Sequence, residues 1–255
     1  MSELGQIRKA FVTGGTGSMG RSIVEHLANA DVAVVFSGRN SKRGQAIEKA
    51  CGAKFMPDNA ADRASCDRTF ASAVDHLQGI DLFVSCTGLV FVAPLAHTSQ
   101  AVFKEVMEVN LTSVFRYSRA AFQLMRSSGG GVIIHIVSDA ALRNIHHIPV
   151  YSTAKSGLLV MSELLAAEGA PHKIRVNAIC PGATVPGVQA TLAGYEHHAE
   201  NASTWASASS GRHGKPEDIA KAVMWLSSSE AAHVSGATLR VDGAAAAAMR
   251  GATRA

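Results

Sequence analysis

The sequence predicts an α/β protein: a three-layer, doubly wound fold on a seven-stranded parallel sheet. Three observations carry this reading. Short apolar runs alternate strictly with longer stretches of helical periodicity, and such an order closes into a parallel sheet covered on both faces. The first apolar run leads directly into a glycine-rich turn, Thr13-Gly14-Gly15-Thr16-Gly17-Ser18-Met19-Gly20. The chain has 255 residues, 47% of them hydrophobic, which suits one large domain spanning 1–255.

The elements follow in order. Residues 10–12 form the first strand and 19–29 the first helix, with the glycine turn between them. Strands at 32–37 and 54–56 flank a helix at 42–50, and a helix at 63–77 leads into a strand at 82–86. The periodic stretch 99–125 reads as a single long helix. A strand at 132–137, a helix at 152–168 and a strand at 174–179 come next, and a helix at 216–226 and a strand at 238–241 complete the series. The last helix opens with Pro216, Glu217 and Asp218, residues favoured in a first turn. The one long unpatterned segment, 183–213, is expected to be a substrate loop, because such loops in compact domains are usually functional.

Composition narrows the classes. A net charge of +4 from 24 basic and 20 acidic residues, with no basic run, argues against nucleic acid as a partner. Cys51, Cys66, Cys86 and Cys180 are far apart and form no CxxC pair, so they are expected to be reduced thiols. Neither an export leader nor a run of about 18 apolar residues is visible, the longest candidate being the tract 244–249, and a cytoplasmic address without membrane contact is expected.

Three constellations carry chemistry. Gly15, Gly17 and Gly20 fit GxGxxG between a strand and a helix, where backbone N–H groups can meet a pyrophosphate. The second strand ends without the acidic residue that would bind both hydroxyls of an adenosine ribose, and Arg39 comes next. A guanidinium there can grip a 2′-phosphate, with Lys42 and Arg43 adding positive potential, which favours NADP(H) over NAD(H); the alternative reading of the same charges is a solvated basic face. Tyr151 and Lys155 lie one helical turn apart, and Ser138 follows the strand at 132–137. A phenol acting near neutrality needs its pKa of about 10 lowered by roughly 3 units, about 4 kcal/mol, which the Lys155 ammonium can help supply while Ser138 holds a carbonyl oxygen.

The glycine loop, Asn110, Ser138, Tyr151-x-x-x-Lys155, the segment Asn177-Ala178-Ile179-Cys180-Pro181-Gly182 and the ending Val241-Asp242-Gly243 together resemble a classical short-chain dehydrogenase/reductase over residues 7–243. The resemblance implies a Rossmann fold and hydride transfer between nicotinamide and a carbonyl or secondary alcohol. It implies a catalytic set of Asn110, Ser138, Tyr151 and Lys155, with Tyr151 as acid/base. The implied cofactor contacts are Gly14, Thr16, Gly17, Ser18, Met19, Arg39, Asp58, Asn59, Cys86, Gly88, Tyr151, Lys155, Pro181, Gly182 and Thr184, with Asp58 facing the adenine. A homotetramer or homodimer through the two long helices after the fourth and fifth strands is also implied. Taken without the family, an Asn within a helix is more often an exposed or capped residue than a relay member.

Two departures stand out. Ser18 replaces the middle glycine of TGxxxGxG, and Gly17 suits instead the TGxxGxxG of extended, epimerase-like members; Ser85-Cys86-Thr87-Gly88 stands where Asn-Asn-Ala-Gly is common. His146, His147, His197 and His198 do not form a metal set, and no metal is expected. Leu142, Ile145, Ile148, Val185, Leu192, Tyr195 and Trp205 would suit a ketone or secondary alcohol with an apolar body, although core packing explains many of them. Arg143 reads either as an anion-recognising group or as a solvated charge. An NAD-dependent alcohol dehydrogenase of the same family, an epimerase-like enzyme and a noncatalytic nucleotide-binding regulator remain the alternatives to an NADP(H)-linked reductase.

Overall fold

The computed structural model describes residues 7–143, 145, 147–186 and 210–247. Seven parallel strands, β1 (Lys9–Thr13), β2 (Ala33–Gly38), β3 (Lys54–Pro57), β4 (Leu82–Ser85), β5 (Gly131–Ile136), β6 (Ile174–Pro181) and β7 (Thr238–Val241), lie in the order β3-β2-β1-β4-β5-β6-β7. Helices α1 (Ser18–Asn29), α2 (Ser41–Cys51) and α7 (Pro216–Ser227) cover one face. On the other lie α3 (Arg63–Leu77), α5 (Ser113–Ser128) and α6 (Pro149–Gly169). The fold is the doubly wound, seven-stranded Rossmann architecture expected.

Strand alternation explains why both faces are covered. Phe11, Val35, Phe83, Ile133 and Val176 point to one side and pack on Ala73, Leu77, Tyr117, Ala121 and Met125. Their neighbours Val12, Val34, Phe36, Val84 and Ile134 point to the other and meet Ile23, Leu27, Ile219 and Val223. With apolar side chains needed on both sides, the strands read as continuous hydrophobic runs. The chain steps outward from β1 to β3 and then crosses back to β4, so a crevice opens beyond the carboxyl ends of β1 and β4.

Two boundaries differ from expectation in ways that matter. The single helix expected at 99–125 is interrupted: α4 (Gln100–Met107) passes through a π-helical turn, Glu108–Thr112, into α5. The cause is Asn110, whose Nδ2 donates to Val106 O at 2.9 Å and to Leu89 O at 2.8 Å. A side-chain amide that takes a backbone carbonyl one turn back competes with the helical ladder and widens it. The helix expected at 152–168 instead begins at Pro149, whose fixed φ and missing N–H suit a first helical position, and this draws Tyr151 into the first turn of α6.

Candidate active site

The glycine turn after β1 is shaped by close approach. A Cβ on Gly14, which has φ +70°, would lie 2.5 Å from Cys86 O, and one on Gly20 would lie 2.3 Å from Gly14 O. Gly17 caps α1 without any side-chain hydrogen bond. The helical ladder starts with Arg21 N–H donating to Gly17 O, so the amides of Ser18, Met19 and Gly20 stand outside it. By contrast, Asn40 caps α2 through its side chain and Asp62 caps α3. An uncapped N-terminus with no acidic residue in its first turn suits a pyrophosphate, so these residues fit a dinucleotide. Ser18 occupies an ordinary helical position in α1, so its side chain is accommodated there. Thr16 packs so tightly on Gly38 that a Cβ at Gly38 would come within 2.4 Å of its Oγ1. Arg39 follows, exposed at the end of β2 together with Lys42 and Arg43 at the start of α2.

Beyond β5 and β6 the proton-transfer candidates converge. Ser138 follows β5 and caps a short turn, Asp139–Ala141; its Oγ accepts from Ala140 N at 3.1 Å and donates to Asp139 Oδ1 at 3.4 Å. Tyr151 is 8% exposed, and Lys155, one turn further along α6, is 2% exposed. The Lys155 Nζ sits 5.8 Å from the Tyr151 ring centroid and donates to Ile136 O at 3.0 Å and Thr87 O at 3.4 Å.

Burial dominates the electrostatics of this set. It pushes the Tyr151 phenol above the ordinary range, while the Ser138 side chain acts in the opposite direction. It also draws Lys155 down to about 8. The expected lowering of the phenol by the ammonium is therefore not what prevails in this state, because desolvation of a nearly enclosed phenol outweighs the groups around it. Cys86, packed against the apolar core, has its thiol pushed up to about 12, as expected of an unreactive cysteine.

The remaining expected residues divide. Gly88 is exposed beside the crevice, and its nearest group to an added Cβ is Asn110 Oδ1 at 3.6 Å. Asn110 is fully buried, with Oδ1 accepting from Leu89 N at 3.1 Å, so its amide holds the segment after β4. Pro181 ends β6, Gly182 N donates to Val241 O, and Thr184 is buried with Oγ1 donating to Gly182 O at 3.1 Å. Asn59 is exposed, its Oδ1 receiving Ala61 N. Asp58 is engaged inward: Tyr117 Oη donates to its Oδ2 at 2.8 Å, Ser37 Oγ to the same oxygen at 3.3 Å, and Ser65 Oγ to Oδ1 at 3.0 Å. This knot joins β2, β3, α3 and α5, and the spacing of its members offered no signal.

The apolar candidates also separate. Ile148 is core, packed with Val106, Val150 and Tyr151; Ile145 leans on that cluster and Leu142 on the one around Leu158. Val185 is exposed. Leu192, Tyr195, Trp205, His146, His197, His198 and most of the 183–213 loop lie outside the described residues. Arg143 is neither a solvated charge nor poised in isolation: its side chain is 15% exposed and forms an ion pair with Asp139. Among the described residues no cluster of ligating side chains could hold a metal, and no helix is long and apolar enough to cross a membrane.

Comparison with known proteins agrees with this geometry. A family model described as enoyl-(acyl carrier protein) reductase matches residues 14–244. The chain is 30% identical over 236 residues to the 3-oxoacyl-[acyl-carrier-protein] reductase FabG of Vibrio cholerae, covering 92% of this chain and 95% of that protein. It is 32% identical over 243 residues to 3beta-hydroxysteroid dehydrogenase 1 of Eggerthella lenta, covering 92% of each. The crystal structure of a dehydrogenase/reductase from Sinorhizobium meliloti superposes with a TM-score of 0.84 at 30% identity, covering 96% of this chain and 97% of that one. The chain belongs to the short-chain dehydrogenase/reductase family. This is a family of oxidoreductases that bind a nicotinamide cofactor.

Proposed function

We propose that this protein is an NADP(H)-linked carbonyl reductase or alcohol dehydrogenase acting on a ketone or secondary alcohol with an apolar body. The observation that carries the reading is the meeting of Ser138, Tyr151 and Lys155 beyond β5, beside an uncapped helix N-terminus. The bound dinucleotide supplies or takes up the hydride. Ser138 donates a hydrogen bond to the substrate oxygen, and Tyr151 delivers a proton to that oxygen as negative charge develops on it. Lys155 would hold the ribose of the dinucleotide, and its ammonium steadies the phenolate left behind. A phenol raised by burial is protonated at neutral pH and can serve as the acid when a carbonyl is reduced.

Preference for NADP(H) rests on Arg39, exposed at the end of β2 where an acidic residue is missing. Gly14, Thr16, Gly17, Ser18 and Met19 would hold the pyrophosphate, Cys86 and Gly88 would form the wall after β4, and Pro181, Gly182 and Thr184 would take the nicotinamide end. Asp58 and Asn59 would serve the adenine end. The apolar body agrees with Ile145, which leans on the cluster that contains Tyr151. It also agrees with the names of two relatives, whose 3-oxoacyl and 3beta-hydroxysteroid substrates carry an oxygen function on a largely apolar frame. The chain works as one domain with 183–213 as its substrate loop, in the cytoplasm, as a homodimer or homotetramer. Exposed Phe115 on α5 and Val160 and Leu164 on α6 support such an assembly.

A spectrophotometric screen of ketones with NADPH and NADH, and of secondary alcohols with the oxidised cofactors, tests the reading. Oxidation of NADPH by at least one apolar ketone, faster than with NADH, is expected. Absence of turnover on every carbonyl and alcohol would reject it.

A further inference from the structure

Next to the catalytic candidates lies a charged pair that the proposed proton transfer does not use. Asp139 is 5% exposed. It accepts from Arg143 through Nε at 2.9 Å and through a second guanidinium nitrogen. The Arg143 side chain is itself largely enclosed. Buried ion pairs cost desolvation and are poor sources of stability, so one placed against Ser138 calls for another explanation.

The hydrogen bonds of Ser138 supply it. The Ser138 hydroxyl has one proton, and its oxygen already receives Ala140 N at 3.1 Å. That proton reaches Asp139 Oδ1 at 3.4 Å, a long and weak bond. The same hydroxyl favours the ionised form of the Tyr151 phenol. Asp139 and the reacting oxygens therefore compete for a single proton. A free carboxylate would win that competition; a carboxylate drained by a two-point guanidinium contact holds the proton only loosely.

We propose that Asp139, held by Arg143, is a positioning residue for Ser138: it parks the hydroxyl in the resting site and surrenders it to a substrate oxygen. The Asp139 charge also bears on the phenol of Tyr151, which gives the role a readout. This rests on the proposed role of Ser138 and Tyr151. The charged and titratable groups around Asp139 come from several elements. Arg143 faces it from its own segment, Asp242 from beyond β7, Tyr151 from α6, and Cys180 from β6. Burial pushes the Asp139 carboxyl above the ordinary carboxylate range, Arg143 acts against that rise and favours the ionised form, and Asp242 adds to it. Asp139 in turn disfavours the phenolate of Tyr151.

The pair predicts shifts of opposite sign. Asp139→Asn removes the negative charge and should lower the ionisation midpoint of Tyr151 by roughly one pH unit; Arg143→Gln leaves that charge uncompensated and should raise it. The midpoint is read without turnover, by fluorine NMR of protein carrying a fluorinated tyrosine at position 151, whose ring fluorines acidify the phenol. If a ketone substrate is found, the pH profile of NADPH-dependent reduction should move in the same two directions, with kcat altered and NADPH affinity unchanged. Opposite shifts support the proposal; no shift, or shifts of the same sign, overturn it. Should Asp139→Asn fail to fold, the direction seen with Arg143→Gln decides alone. Should the wild-type protein reduce no ketone, the proposed function fails, while the fluorine titration still decides the role of the pair.

Discussion

His135 allows a charge effect on stability to be worked through. It lies at zero exposure in β5, with Nε2 2.8 Å from Ser118 Oγ on α5 and Nδ1 2.7 Å from Ser162 Oγ on α6. Ser162 gives its own proton to Leu158 O at 2.7 Å, so this network assigns the ring proton to Nδ1 and leaves Nε2 to accept from Ser118. Burial, reinforced by the Lys155 charge, pulls the imidazole from 6.5 to about 3. The unfolded chain therefore binds a proton between these values that the folded chain does not. Stability is full above pH 6.5 and is lost as pH falls toward 3, at about 1.36 kcal/mol per pH unit. Between about pH 7.5 and about pH 5 the loss from this one group is about 2 kcal/mol. Urea unfolding of the wild type and of His135→Gln at both pH values isolates it, because all other titrating groups are shared. The wild type should lose about 2 kcal/mol more than the variant on acidification. Equal losses would refute the reasoning, whatever the absolute stability of the variant.

Other outcomes follow from the site. Tyr151→Phe keeps the ring and removes the proton, so turnover should fall about 10²- to 10⁴-fold while NADPH affinity, followed by fluorescence titration, stays unchanged. Arg39→Ala should weaken NADPH binding by roughly 1.5–3 kcal/mol and leave NADH nearly untouched; an equal loss for both would remove the phosphate contact from the account. Ser85 Oγ is buried with no hydrogen-bond partner among the described residues. Replacing Ser85 by Ala should therefore stabilise the protein by about 1 kcal/mol in urea unfolding, and destabilisation would mean the hydroxyl is satisfied after all.

The strands were legible because both faces of the sheet are covered, which writes each one as an apolar run such as Val132 to Ile136. The glycine turn and the Tyr151–Lys155 spacing were legible because each is a local geometric requirement. The wide turn at Asn110 was not, since one extra residue barely disturbs a 3.6-residue pattern over a long stretch. Nor was the knot on Asp58, because Tyr117 lies 59 residues away and reaches it only through the packing of α5. Asp139 and Arg143 stand four residues apart directly after Ser138, a spacing that could have drawn attention to the pair. In the sequence, Arg143 was weighed without its partner.

The wide turn leaves one consequence. A π-helical turn of this kind is an α-helix carrying a single surplus residue, with the segments on either side keeping their phase. The surplus can therefore be separated from the scaffold. A chain shortened by one residue between Glu108 and Thr112 would still aim α4 and α5 along their present courses and still bring Tyr117 to Asp58. It would lose the Asn110 clasp on Leu89, and with it the anchor of the strand-end segment that walls the crevice. Fold and function are here written into the same helix in different residues, and the difference amounts to one residue of length.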